Sequence, residues 1–241
     1  MNTTAKSTAT RSFKNATMIL IHGAWADGSS WSQVIFPLRH QGLKVICAPI
    51  PLTSLSDDVA ALSRVLERVD GPVLLAGHAY AGAVIAGPKD DKVKGLVYIA
   101  GLAPDEGETV ADVFYREKSH PQAPQLQPDS HGLIWMPPEG FQKAFAQNAS
   151  DDVKALLESV QRPIAIACIQ EAAPRPAWRS KPSWFLIAVE DRMINPKTQH
   201  FMAERMGAKA RVHPVDHTPL LTAPEVVVDI LLEAARETLI R

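Results

Sequence analysis

The 241-residue sequence has only two cysteines, Cys47 and Cys168, and each lies in a short apolar run. Cysteines this far apart fit neither a disulfide framework nor the spacing of metal-binding motifs. We therefore expect two buried free thiols, which is typical of a protein from the reducing cytoplasm.

The sequence also lacks an excess of charge and any long hydrophobic run. Its 25 basic and 26 acidic side chains give a net charge of -1 and are mixed along the chain. This balance gives no electrostatic reason to expect a nucleic acid or an anionic membrane as partner. No apolar run reaches the roughly 18 residues that a membrane span needs. No metal-ligand cluster, phosphate-binding loop or dinucleotide fingerprint occurs either, so we expect no metal and no cofactor.

The first fifteen residues, MNTTAKSTATRSFKN, are rich in threonine, serine and lysine. They lack the apolar segment of a secretory signal. We expect residues 1–15 to form a disordered tail. The folded core is then expected to begin at residue 16.

Short apolar runs alternate with amphipathic segments over most of the remaining chain. Apolar runs typical of buried strands occupy residues 16–21, 44–48, 73–76, 93–100, 183–189 and 210–215. Helical spacing of apolar residues covers 31–40, 59–66, 198–206 and 224–240, the second of these preceded by the capping residues Ser56, Asp57 and Asp58. This alternation predicts an α/β fold with a mostly parallel sheet and helices on both faces.

Residues 104–182 break this rhythm. Prolines cluster there, no strong strand pattern appears, and short helices are expected at 141–148 and 151–160. We interpret 16–103 and 183–241 as one α/β core, and 104–182 as a mostly helical cap inserted after the strand at 93–100. Ligands of open α/β sheets bind beyond the carboxyl ends of the strands, so a cap at that edge would cover the site.

Four motifs follow predicted strands: HGAW at 22–25, GHAYAG at 77–82, EDRMINP at 190–196 and DHTPLL at 216–221. Their order and positions resemble the α/β-hydrolase family, in which a nucleophile, an acid and a histidine follow one another along the chain. The sequence is especially similar to the small esterase and hydroxynitrile lyase-like branch, which has many bacterial members. The resemblance extends from residue 16 through nearly all of the chain.

The resemblance implies roles for individual residues. His217 would be the general base and Asp191 the carboxylate that orients it. The backbone amides of Ala24 and Tyr80 would form an oxyanion hole. Glu190 is the rival candidate for the acid.

Three other histidines are interpreted as structural. His22 would shape its own loop and His213 lies inside a predicted strand. The side chain of His78 is expected to point away from the site because it precedes the nucleophile position.

Four aromatic residues are candidates for the pocket wall: Trp25, Phe114, Trp135 and Trp178. Trp31 and Trp184 fit the core better. The mixture of apolar residues and prolines in the cap suits a small, partly hydrophobic molecule. We therefore expect a small-molecule partner, and the sequence leaves the oligomeric state open.

At the nucleophile position the sequence has Ala79 where an esterase carries serine. Alanine has no nucleophilic atom, and loss of a triad serine costs roughly six powers of ten in rate. Neither Ser29 nor Ser30 is a good replacement, because both fit a helix cap better, and the two cysteines lie on the wrong elements.

Three interpretations remain open at this stage. The protein is a serine-to-alanine inactivated esterase, an enzyme that uses the His217–Asp191 dyad without a covalent step, or a pseudoenzyme that binds a small molecule. Enzyme function is favoured because the acid, the histidine and the HGA loop are all present.

Overall fold

A computed structural model describes residues 13–240 of the chain. Its strands are β1 Thr17–Ile21, β2 Lys44–Ala48, β3 Val73–His78, β4 Val93–Ile99, β5 Leu133–Ile134, β6 Ile164–Ala165, β7 Ser183–Ala188 and β8 Lys209–His213. Its α-helices are α1 Ser32–His40, α2 Leu55–Glu67, α3 Ala81–Ile85, α4 Val110–Phe114, α5 Pro138–Gly140, α6 Asp151–Val160, α7 Ile166–Gln170, α8 Pro196–Arg205, α9 Pro219–Thr222 and α10 Pro224–Thr238.

Six of the strands form one parallel sheet in the order β2-β1-β3-β4-β7-β8. Successive side chains of β1 enter different cores: Ile19 packs with α2, α3 and α8, whereas Met18 packs with α1 and α10. Both faces of the central strands are therefore covered, which explains why these strands are apolar runs without alternation. The predicted α/β fold, a parallel sheet with helices on both faces, is confirmed.

The carboxyl ends of the six strands lie at one edge of the sheet. The loop after β1 contains residues 22–25, and the turn after β3 contains residues 79–80. The loops after β7 and β8 contain residues 189–195 and 214–218. Parallel pairing alone therefore brings the four sequence motifs to the same edge.

The segment between β4 and β7, residues 100–182, carries α4 to α7 and two short 3₁₀ or π turns, Ala177–Arg179 and Phe141–Phe145. It also contains a two-stranded antiparallel sheet, β5 with β6, which the sequence did not predict. It is joined to the carboxyl edge by hydrogen bonds such as Trp25 N–H to Arg162 O at 3.0 Å and Ala165 N–H to Leu52 O at 3.0 Å.

Several predicted boundaries differ from the structure. Helix α2 starts at Leu55 and is capped by Ser54, so Asp58 lies inside the helix and is fully buried. Strand β8 ends two residues before the predicted position. Phe13 is buried against the sheet, inside the predicted tail, and residues 1–12 of that tail lie outside the described residues. Within residues 13–240, no helix is long and apolar enough to cross a membrane.

Candidate active site

Ala79 lies in a strained turn between β3 and α3. Its φ is +49°, in the left-handed region that costs a residue with a Cβ roughly 1–2 kcal/mol. Neighbouring glycines make the turn possible by close backbone packing. A Cβ on Gly77 would lie 2.6 Å from the carbonyl oxygen of Ala81, and one on Gly82 would lie 2.4 Å from that of Leu102. The turn therefore has the shape of a nucleophile elbow even though its central side chain is a methyl group.

Two backbone amides beside Ala79 are unbonded within the described chain. The N–H groups of Ala24 and Tyr80 donate to no protein acceptor, whereas the next amide of the first loop, Trp25 N–H, is used by Arg162. Ala24 and Tyr80 both line the same cavity as Ala79. Two free donors on one cavity wall can stabilise negative charge on a bound oxygen.

His217 and Asp191 are brought together from the loops after β8 and β7. The Nδ1–H of His217 donates to Asp191 Oδ2 over 2.8 Å, and both side chains are buried. His217 also lines the cavity, and its Nε2 has no protein partner within the described residues. A buried imidazole held on one side by a carboxylate, with its other nitrogen unbonded, has the geometry of a general base.

The carboxylate of Asp191 is fixed by four hydrogen bonds. Besides His217, it accepts from the backbone N–H of Met193 at 2.7 Å, from that of Ile194 at 2.9 Å, and from Gln199 Nε2 at 2.8 Å. Sequence reasoning missed Gln199, which is fully buried in α8. The sequence does contain a sign of this role. Gln199 is three residues before Met202 and four before Ala203, so it is a polar residue on the apolar face of the helix.

Glu190 does not approach the base in this arrangement. Its side chain is exposed, and its Oε2 accepts from Asn148 Nδ2 at 3.3 Å. Of the two carboxylates that the sequence offered, Asp191 is therefore the one in contact with His217.

His78 does not line the cavity, but its side chain contacts the loop that carries the candidate base. Its Nε2 donates to the backbone carbonyl of His217 at 2.7 Å, and the two rings lie 4.9 Å apart. Burial lowers the pKa of His78 to about 3, so the ring stays neutral. The bond is possible because β3 and the loop after β8 meet at the carboxyl edge. His22 is also buried, which lowers its pKa, and His213 is half-buried at the end of β8.

The cavity above Ala79 is almost entirely apolar. Its volume, counted as the space open to the centre of a water molecule, is about 60 Å³. Its wall is formed by the residues discussed above and by Leu102, Val110, Ala111, Phe114, Tyr115, Leu126, Ile134, Phe145, Ile164, Ile169, Met193 and Ile194. Most of these come from the segment between β4 and β7. Trp25 and Phe114, two of the four aromatic residues suggested by the sequence, line it.

The other two aromatic predictions are wrong. Trp135 is 48% exposed and its indole N–H faces Asp129 at 3.3 Å. Trp178 is buried, but outside the cavity, with Arg179 and Arg205 near its ring. Phe145 was missed instead: its ring centroid lies 5.2 Å from that of His217 and 6.1 Å from that of Trp25.

Among residues 13–240, no serine, threonine or cysteine lines the cavity. Ser29 and Ser30 bond to Asp27 at the start of a short 3₁₀ helix, Gly28–Trp31. Both cysteines are free, and burial raises the thiol pKa of Cys47 to about 11 and that of Cys168 to about 12. Such thiols stay protonated and unreactive at neutral pH. Within residues 13–240, no group of three or more histidine, cysteine or acidic side chains is arranged to hold a metal ion.

The sequence matches the model of the alpha/beta hydrolase family over residues 18–230. The chain belongs to this family.

Known relatives of this family member include esterases. It is 24% identical over 251 residues to a putative chloroplastic methylesterase 11 of Arabidopsis thaliana, a match over 90% of this chain and 63% of the relative. It is 29% identical over 112 residues to a carbendazim hydrolyzing esterase of a Nocardioides species, over 39% of this chain and 46% of the relative. The chain thus spans less than two thirds of either relative.

A solved structure shows the same fold. The pyrethroid hydrolase of Sphingobium faniae superposes with a TM-score of 0.78 at 20% identity, over 92% of this chain and 97% of the other. At this level of identity the superposition shows that the two proteins share a fold.

Proposed function

We propose that the protein hydrolyses esters of small apolar acids without forming a covalent acyl-enzyme. A water molecule beside Ala79 would take the place of the missing hydroxyl group, with His217 as its base. The observation that carries this proposal is the buried 2.8 Å bond between His217 Nδ1 and Asp191, with the other side of the imidazole at the cavity. A protein that only binds a ligand has no chemical need for this pair.

The water oxygen attacks the ester carbonyl carbon while its proton passes to His217 Nε2. The amides of Ala24 and Tyr80 hold the negative charge that forms on the carbonyl oxygen. When the bond from carbon to the alcohol oxygen breaks, the proton on His217 moves to the leaving oxygen. Asp191 remains ionised throughout and stabilises the transient imidazolium.

The shape of the site favours a substrate with two different ends. The inner cavity is apolar and suits the acyl group. Phe114 and Tyr115 also line a second, outer pocket. Its lining includes Lys118, His120 and two glutamine side chains, and no carboxylate. The alcohol part would extend there and is expected to be more polar. Relatives named as a methylesterase, a carbendazim esterase and a pyrethroid hydrolase support ester-type chemistry on small molecules.

We infer that the predicted cap, residues 104–182, sets this specificity. It supplies most of the cavity wall. Two of its groups also bond next to the base: Asn148 N–H to Asp216 at 3.0 Å, and the carbonyl of Phe145 to the Thr218 hydroxyl at 2.9 Å.

The test is a panel of p-nitrophenyl esters from acetate to octanoate, assayed with the unmodified protein and with His217→Ala. We expect slow turnover without a burst, best for short chains, and a loss of about 10²–10⁴-fold in the variant. A serine-directed phosphonate should add no mass to the protein. Equal turnover by the two proteins would show that the dyad is not the base, and a small molecule recovered unchanged from the purified protein, with no turnover of any ester, would favour a binding function.

A further inference from the structure

Asp58 is a buried carboxylate that pairs with no lysine, arginine or histidine side chain among residues 13–240. It lies in α2, is fully buried, and has three neutral donors around it. Its Oδ1 accepts from Leu52 N–H at 2.7 Å, and its Oδ2 accepts from the Tyr80 hydroxyl at 2.7 Å and faces the Cys168 thiol at 3.7 Å. Burial raises the pKa of this carboxyl group above its ordinary value. A buried acid is costly, so the contacts that it makes require an explanation.

The three donors come from three separate parts of the cavity surroundings. Leu52 lies in the loop after β2, where its φ is +61°. Tyr80 directly follows Ala79, and its ring is buried. Cys168 belongs to α7 in the predicted cap. The Asp58 carboxylate therefore joins the strained turn at Ala79 to two other elements behind the cavity.

Tyr80 carries one of the two free amides. Its N–H belongs to the peptide bond that follows Ala79. Ala79 has a left-handed backbone conformation, which persists only where the surrounding structure enforces it. A hydrogen bond to a bound oxygen weakens steeply when the donor turns away from it. An anchor at the far end of the Tyr80 side chain opposes such a rotation.

We propose that Asp58 is a positioning residue that holds the Tyr80 phenol and so aims the Tyr80 amide at the carbonyl oxygen of the bound molecule. This role rests on the proposed function in using the same two amides. It requires that they bind a negatively charged oxygen, and it does not require turnover.

The test uses butyrate, a carboxylate product of the proposed reaction, as its probe. The chain has only three tyrosines, so protein labelled with ¹⁵N-tyrosine gives three amide resonances, for Tyr80, Tyr98 and Tyr115. We expect butyrate to shift the Tyr80 resonance and not that of Tyr98. Asp58→Asn should reduce this shift at least twofold and weaken butyrate binding about fivefold by calorimetry, with butanol, which carries no charge, affected less than twofold.

Tyr80→Phe tests the same link by removing one oxygen atom, and it keeps the test usable where Asp58→Asn does not fold. Tyr98→Phe is its matched control, because the Tyr98 hydroxyl is buried without a partner within the described residues. We expect a fivefold loss of butyrate affinity for the first and less than twofold for the second. Equal affinities, or no response of the Tyr80 amide to butyrate, would overturn the proposal. A butyrate-induced shift of the Tyr80 amide resonance without any ester turnover would refute the proposed hydrolysis but not the role of Asp58.

Discussion

The turn at Ala79 and the pair His217–Asp191 form the two halves of the candidate site, and they are specified in different ways. The turn is shaped by backbone packing around Gly77 and Gly82, with no contribution from the side chain at position 79. The pair is shaped by side-chain hydrogen bonds, four of which end on Asp191. The turn can therefore lack a reactive side-chain atom and keep its shape. The His217–Asp191 pair would lose its geometry if one of its polar atoms were removed.

Ala79→Ser gives the largest expected effect, because it returns a nucleophile to a turn that has kept its conformation. We expect hydrolysis of short p-nitrophenyl esters to rise by about 10³-fold, with a burst and a covalent phosphonate adduct in the mass spectrum. Ala81→Ser, two residues along in α3, is the matched control and should give neither. A folded Ala79→Ser protein with no gain in ester hydrolysis would show that the turn does not place a side chain at position 79 within reach of His217.

Gly82→Ala tests whether backbone packing holds the turn. The added Cβ would meet backbone atoms of Leu102 at 2.4 Å and 2.9 Å, and backbone cannot move aside as a flexible side chain can. We expect a loss of about 3 kcal/mol in the free energy of unfolding, measured with urea. Gly107→Ala is the control: its φ is +84° but nothing lies within 4 Å of the added atom, so conformational strain alone should cost about 1 kcal/mol. Equal losses would refute the packing explanation.

The sequence predicted the parts of the site that follow strands directly. Ala79, Asp191 and His217 each come within a few residues of a strand end, so parallel topology fixes their neighbourhood. Contacts from helices and from the segment between β4 and β7 had no such signal. Gln199 and Phe145 reach the site through packing between elements far apart in sequence, which local periodicity does not encode.

The errors have a related cause. An aromatic residue type predicts burial in general, and it does not say whether the ring faces a cavity, another core or solvent. Residue type alone therefore could not place Trp135 and Trp178. The bond from His78 to the His217 carbonyl was not predicted, because strand alternation fixes the side on which a side chain starts but not which distant loop it meets.

His78 joins the two halves, since it precedes Ala79 and bonds to the carbonyl of His217. The pKa of its buried imidazole is lowered to about 3, below the ordinary value of 6.5. Between these two pH values His78 binds a proton in the unfolded chain but not in the folded chain. The free energy of unfolding therefore falls as the pH drops from 6.5 toward 3. Between pH 6.5 and 5 this amounts to about 2 kcal/mol at most.

His78→Gln removes that titration while keeping a donor for the His217 carbonyl. We expect the difference in unfolding free energy between pH 7 and pH 5 to shrink by about 1–2 kcal/mol relative to the unmodified protein. His22, whose pKa is also lowered by burial, is present in both proteins. An unchanged pH dependence would mean that His78 is already protonated or solvated in the folded state.

The smallest expected effects separate Trp25 from Trp135. Trp25 belongs to the loop that carries one free amide, and its indole N–H donates to the carbonyl of Ile134 at 2.9 Å. Trp25→Phe removes that bond and should cost about 1 kcal/mol in unfolding free energy. Trp135→Phe changes an exposed ring and should change stability by less than about 0.5 kcal/mol. Because Trp25 lines the cavity and Trp135 does not, butyrate affinity should fall in the first variant alone, and a fall in the second would place Trp135 at the binding surface after all.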